Sequence, residues 1–156
     1  MMAAMDGPSV LLQIHSDPTV PGYNDRIAVA DSRLHCISYL CPASGGPNHR
    51  QTNARGGGPW QARYPQIAPG TYRYECVEHR KYHKSLLLES GKEVACRAPN
   101  PQQHGELFMR GAFLHSGQSA GWRGSAGCPV VHPVFWLGFL FFFKIGQRGR
   151  LYVVDY

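Results

Sequence analysis

The chain has 156 residues, of which 17% are charged, and a formal net charge of +6. That length suits one domain able to bury a core without staples, and 18 Gly with 12 Pro weigh against a helical bundle and for a turn-rich β protein. The positive balance points to an acidic partner, either nucleic acid or the anionic polymers and carboxylates of a bacterial cell wall. Its basic residues are scattered apart from Arg80-Lys81 with Lys84, and Arg148 with Arg150. With no RNA-binding or helix-turn-helix pattern beside them, nucleic acid is the weaker of the two partners.

Met1 to Asp6 lacks a basic stretch followed by an apolar one, so no secretory signal is visible. Residues 9–14 read as a first strand after the break at Asp6-Gly7-Pro8. Asp17-Pro18 and Pro21-Gly22 mark turns, and the apolar runs Ile27 to Ala30 and Leu34 to Leu40, split by Asp31-Ser32, predict a hairpin. A long Pro/Gly-rich loop over 42–68 follows, with little to bury besides Trp60 and Tyr64, and it reads either as a flap or as plain disorder.

Thr71 to Val77 is rich in aromatic and β-branched residues and predicts a strand. His79 and His83 then stand four apart, a zinc-like spacing only if the segment were helical. The flanking residues favour a solvated basic turn, so no metal and no cofactor is expected. Ser85 to Leu88 and Glu93 to Arg97 predict a second hairpin across Glu89-Ser90-Gly91-Lys92, with Gly91 suited to positive φ. After a Pro/Asn loop, Leu107 to His115 reads as one strand. Pro133 to Ile145 is the strong helix candidate, with Pro133 in its first turn, Gly146 as a stop and Phe135, Trp136, Phe139, Leu140 and Phe143 on one apolar face. Its apolar run, Val134 to Phe143, is too short to span a membrane. Residues 150–156 form a last strand.

Chemistry concentrates between these elements. The strand Gly111-Ala112-Phe113-Leu114-His115-Ser116 ends in a histidine, twelve residues intervene, and Cys128 follows the small-residue turn Gly124-Ser125-Ala126-Gly127. A thiol is mostly protonated at neutral pH, and a nearby imidazole can take its proton or stabilise the thiolate. The small residues allow a tight turn whose amides can face an acyl oxygen. Five cysteines (Cys36, Cys41, Cys76, Cys96, Cys128) leave one over if the first four form two disulfides, although a fully reduced set of buried thiols fits equally.

His115, Ser116 and Ser125-Ala126-Gly127-Cys128 resemble the signature of the L,D-transpeptidase (YkuD-like) catalytic domain, in which a histidine precedes a Ser/Thr-His-Gly-Cys block by a loop. Cys41-Pro42-Ala43-Ser44, Ile67 to Tyr72, Gly105 to His115, and Gly127-Cys128 through Trp136 and Phe139 are similar, in order, to a small phage- and prophage-encoded branch of that family. Two departures are Ala126 where the family has His, and Pro129-Val130-Val131 in place of an apolar residue followed by Arg or Asn.

The resemblance implies a single mostly-β domain over 1–156, a small mixed sheet or flattened barrel with one core helix. It implies a peptidoglycan substrate met in the cell wall or periplasm, reached as a virion component or through a lysis pore, with other virion or tail proteins as further partners. Cys128 would be the nucleophile and His115 the base and then the acid, oriented by Ser116 through its backbone carbonyl. Ala126 and Gly127 would supply oxyanion amides. Trp122, Arg123, His79 and His83 are candidate substrate contacts, the basic turn at His79 and His83 meeting a carboxylate. The alternative is a virion or wall-binding structural protein that kept the fold and lost the activity, for which Ala126 and a His115-to-Cys128 gap shorter than in most members are the arguments.

Overall fold

A computed structural model describes residues 5–15, 23–45, 66–97, 107–117 and 128–156. The long loop expected at 42–68 therefore lies largely outside the described residues, as do Trp122, Arg123, Ala126 and Gly127. Eleven strands are described: β1 (Ser9–Ile14), β2 (Asp25–Ala30), β3 (Ile37–Ser44), β4 (Gln66–Ile67), β5 (Gly70–His79), β6 (His83–Leu88), β7 (Val94–Arg97), β8 (Leu107–Met109), β9 (Phe113–Ser116), β10 (Val130–Val131) and β11 (Arg148–Asp155). Eight of them close a barrel in the order β1-β11-β5-β6-β9-β10-β3-β2, and β4, β7 and β8 form a small second sheet. The barrel is mixed: β1 runs parallel to β11 and β9 parallel to β10, while its other neighbours are antiparallel.

Period-two alternation explains the inward faces. Val10, Leu12 and Ile14 of β1, Tyr72, Tyr74 and Cys76 of β5, and Leu151 and Val153 of β11 are buried. Their neighbours Arg73 and Arg150 point outward. Each fully buried aliphatic side chain contributes about 1.5–3 kcal/mol. Ile67 and Val94 of the small sheet belong to the same core. The Tyr72 hydroxyl joins the two sheets, lying 2.6 Å from the Ala68 carbonyl oxygen and 3.3 Å from that of Ala95. Arg97 also forks onto Asp155 at 2.8 and 2.5 Å, fastening β7 to the end of β11.

Three local expectations need correction. β6 and β7 do not pair as a hairpin: β6 lies between β5 and β9, and β7 pairs with β4 and β8. The turn between them is a 3₁₀ segment, Glu89–Gly91, that carries the chain from one sheet to the other, with Gly91 at φ 79°. The strand expected over Leu107 to His115 is broken in two at Gly111, which sits at φ 63°, a conformation that favours glycine. The helix is also shorter than expected. A 3₁₀ turn, Pro133–Phe135, leads into α1 (Trp136–Leu140), and the Phe143 amide then bonds the Leu140 carbonyl in a tightened last turn.

Phe139 and Phe143 still enter the core, where Phe143 meets Tyr74 edge-on at 5.6 Å. Leu137 and Phe141, by contrast, are 80% and 84% exposed, so the apolar run has an inner and an outer side despite its uniform composition. No helix among the described residues is long and apolar enough to cross a membrane. The hairpin expected from Ile27 to Leu40 forms as β2 and β3, but β3 runs on through Pro42 to Ser44. Pro42 serves that ladder as an acceptor, its carbonyl receiving the His132 amide at 3.0 Å.

Asp25, at the start of β2, ties off two connections. Its carboxylate accepts from the His15 amide at 2.8 Å and the Gly45 amide at 2.6 Å, where β1 ends and β3 ends. Burial pushes its pKa up, and the two amides oppose that shift.

Tyr74 sets a packing test. An added Cβ at Gly149 would fall 2.5 Å from the Tyr74 hydroxyl oxygen and 2.6 Å from the ring carbon bearing it, and Tyr74 is buried with its hydroxyl donating to the Pro8 carbonyl. Gly149→Ala is expected to lower unfolding free energy by about 1–3 kcal/mol in urea titration. A loss below about 0.5 kcal/mol would mean that Tyr74 shifts without resistance.

Candidate functional site

The site grows out of the β9–β10 pairing. Val130 stands opposite His115 and Val131 opposite Ser116 in a parallel ladder, reinforced by the His115 amide reaching the Pro129 carbonyl at 3.4 Å. Carried two residues back, that register sets Cys128 beside Phe113. Strand spacing then separates the Cα atoms of Cys128 and His115 by roughly 8 Å. The Phe113 backbone N–H accordingly acts on the Cys128 sulfur. The two residues the sequence singles out are thus carried on neighbouring strand ends.

Within β9, Leu114 faces the core and is fully buried, while Phe113 and His115 share the other face. His115 Nδ1 lies 2.8 Å from the Ser116 carbonyl oxygen. A carbonyl only accepts, so that nitrogen carries the proton and Nε2 is the basic one. Burial pushes the His115 pKa below the usual imidazole value, the Ser116 carbonyl opposes the shift, and Lys81 adds to it. Burial also pushes the Cys128 thiol up, opposed by the Phe113 amide, by Lys81 and by its own amide. Both groups are therefore held neutral: a thiol, and an imidazole able to take a proton at Nε2. Of the two roles open to a nearby imidazole, these directions favour taking the thiol proton over stabilising a preformed thiolate, because desolvation is the largest influence on each group.

His79 and His83 lie on the hairpin joining β5 to β6, facing each other across its end. His79 Nδ1 accepts from the amides of Lys81 at 3.1 Å and Tyr82 at 3.2 Å, so its ring shapes the turn. His83 is exposed, at φ 56°, with Nδ1 3.7 Å from Glu78. In a strand turn the pair is not on one helix face, so the helical zinc spacing does not arise. Sequence reasoning missed Tyr82. Its ring stacks on His115, with centroids 4.1 Å apart and planes 18° from parallel, and also meets Phe113 at 5.4 Å and His79 at 5.1 Å. The pairing of β6 with β9, Leu86 to Leu114 and Leu87 to Phe113, brings this hairpin end to the site. Only that long-range register reveals it.

No disulfide joins the five cysteines; Cys41, Cys76 and Cys96 are buried, Cys36 is exposed and Cys128 is half-buried. The two-disulfide arrangement does not describe them, and Cys36 departs from a set of buried thiols by being open to solvent. Burial raises the thiols of Cys41 to about 12 and Cys96 to about 11.

Iodoacetamide mapping should therefore label Cys36 first and Cys128 more slowly, leaving the other three until the protein unfolds. The Cys128 rate should rise with a midpoint above the ordinary thiol value of about 8.5 and fall back to it in denaturant. A native midpoint below about 8.5 would mean that a cation, not burial, governs the thiol. The same two shifts set a stability window. His115, with its folded pKa depressed, contributes stability present above about pH 6.5 and lost as pH falls through the lower folded value. Cys128, with its folded pKa raised, contributes stability present below about pH 8.5 and lost as pH rises through the higher one.

No family model and no curated protein matches the sequence. Two solved structures match the fold at low identity. L,D-transpeptidase 1 of Mycobacterium tuberculosis is 13% identical with a TM-score of 0.41, the match covering 95% of this chain and 63% of that one. The L,D-transpeptidase (residues 123–326) from Xylanimonas cellulosilytica is 16% identical with a TM-score of 0.41, covering 96% of this chain and 61% of that one. The chain thus spans about three-fifths of the length of each.

Proposed function

We propose that this protein is a cysteine-dependent acyl-transfer enzyme of the L,D-transpeptidase type that acts on peptidoglycan stem peptides in the cell wall. The observation that carries the reading is the parallel β9–β10 pairing, which sets Cys128 and His115 on neighbouring strand ends with His115 Nδ1 against the Ser116 carbonyl. The motif resemblance of His115, Ser116 and the Ser125 to Cys128 run supplies the substrate class.

In the proposed reaction, the Cys128 sulfur forms a bond to the carbonyl carbon of a stem-peptide link while its proton passes to His115 Nε2. The amides of Ala126, Gly127 and Cys128 hold the oxyanion. As the intermediate collapses, the C–N bond breaks, His115 returns the proton to the leaving amine, and a thioester remains on Cys128. An amine or water then attacks the thioester carbonyl and gives its proton to His115; the C–S bond breaks, and His115 returns the proton to the Cys128 sulfur. A neutral thiol and a neutral imidazole suit this sequence, because proton transfer coincides with attack and no preformed ion pair must be buried. In a phage-associated protein, water is the favoured acceptor and the outcome is cleavage.

A second reading, a wall-binding or virion protein without activity, draws on Ala126 and on the short stretch between His115 and Cys128. Sedimentation with peptidoglycan sacculi followed by muropeptide analysis separates the two. Wild type should pellet in a salt-sensitive manner and change the muropeptide profile, as the +6 charge and an anionic polymer attract. Cys128→Ala should pellet equally and lose the chemistry, and His115→Ala should slow it by about 10²–10⁴-fold. Pelleting without any muropeptide change across several wall chemotypes would establish the inactive reading, and failure to pellet would remove the cell wall as partner.

A further inference from the structure

The β5–β6 hairpin end has a feature that neither the Cys/His pair nor the motif uses. The Tyr82 ring stacks with that of His79 and with that of His115, so the turn is anchored on the catalytic candidate itself. Lys81, next in the chain, is exposed and holds its ammonium 5.2 Å from the Tyr82 ring centroid. Together with the 4.1 Å Tyr82–His115 separation, this keeps the ammonium within about 9 Å of the imidazole. Among the described residues no carboxylate pairs with Lys81, whereas the nearby acidic Glu78 lies against His83. Among the described residues, Lys81 is also the one charged side chain whose field acts on both His115 and Cys128.

We propose that this hairpin end is the anion-recognising wall of the site, with Tyr82 positioning it against His115 and the Lys81 ammonium receiving a carboxylate of the acyl substrate. The carboxylate as substrate group rests on the peptidoglycan reading; the anion preference beside Cys128 does not. An exposed ammonium attracts a carboxylate without burying either charge, so the contact adds attraction and orientation at little desolvation cost. His79 contributes as the acceptor that folds the turn, through its Nδ1.

A pair of small alkylating reagents tests the wall without any wall polymer. Iodoacetate and iodoacetamide share the leaving group and differ in charge, so their rate ratio at Cys128 reads the local potential, and the exposed Cys36 in the same molecule is the internal reference. At low salt, Lys81→Gln should lower the iodoacetate-to-iodoacetamide ratio at Cys128 by about three- to tenfold, and Lys81→Glu should lower it further, with Cys36 unchanged. Tyr82→Ala should lower it as Lys81→Gln does, and Tyr82→Phe should restore it, since the stack needs the ring and not the hydroxyl. Arg80→Gln, which removes an equal charge from the adjacent exposed position, should leave it in place.

A Cys128 ratio within about 1.5-fold of wild type in both Lys81 variants overturns the proposal, and so does an equal fall in Arg80→Gln, which would make the effect one of general surface charge. A ratio that falls as expected in a protein that never alters muropeptides keeps the anion-binding wall and removes the peptidoglycan substrate. In an active protein, Lys81→Gln should raise KM for the stem peptide with kcat little changed.

Discussion

The short parallel ladder between β9 and β10 is the constraint on which both the fold and the site depend. It consists of two residues on the β10 side, yet it closes the barrel between β6–β9 on one flank and β3–β2 on the other. The same ladder fixes how far Cys128 stands from His115. A one-residue slip would turn His115 from the outer face to the core and put Leu114 outside. Full burial of Leu114 on one side and the Tyr82 stack on His115 on the other both oppose that slip. Register here is set by apolar burial, and the placement of the reactive groups follows from it.

Desolvation then decides the protonation states. The wall formed by Phe113, Tyr82 and His79 shields His115, and the enclosure around Cys128 penalises a thiolate. A neutral pair has a chemical implication distinct from that of a preformed ion pair. Burial keeps the Cys128 sulfur a thiol rather than a thiolate, so stray electrophiles in water meet a poorly reactive group. The exposed Cys36, on β2–β3's connecting segment, is not so protected.

Sequence patterning was most informative where one face is apolar and the other polar. Residues 9–14, the strand from Thr71, and the last strand from Arg150 are all of this kind, and the structure places strands there. It misled where pattern is symmetric or where the partner is remote. Val134 to Phe143 carries apolar residues on every side, so composition gave no period from which to read that α1 stops at Leu140 with Leu137 and Phe141 facing out. Ser85 to Arg97 looks like a hairpin locally, but β9 occupies the edge that β7 would need. At the site, a histidine and a cysteine flanked by small residues are visible in one dimension. Tyr82, 33 positions before His115, is not, because only the β6–β9 register brings it there.

The closure of the barrel also has a bearing on how the chain reaches this state. β1 pairs with β2, the next strand in the chain, but its other edge waits for β11, so that Val10 meets Leu151 across nearly the whole sequence. Loop-closure entropy must be met before that parallel pairing returns any stabilisation, which puts folding among the slow, topology-limited β cases of milliseconds to seconds. During synthesis the order is fixed: Ser9–Ile14 is made well before its partner Arg148–Asp155. Until then an apolar strand with Val10, Leu12 and Ile14 presents an open edge, a template for pairing with another copy. High expression rates thus raise the risk of association between nascent chains at this strand.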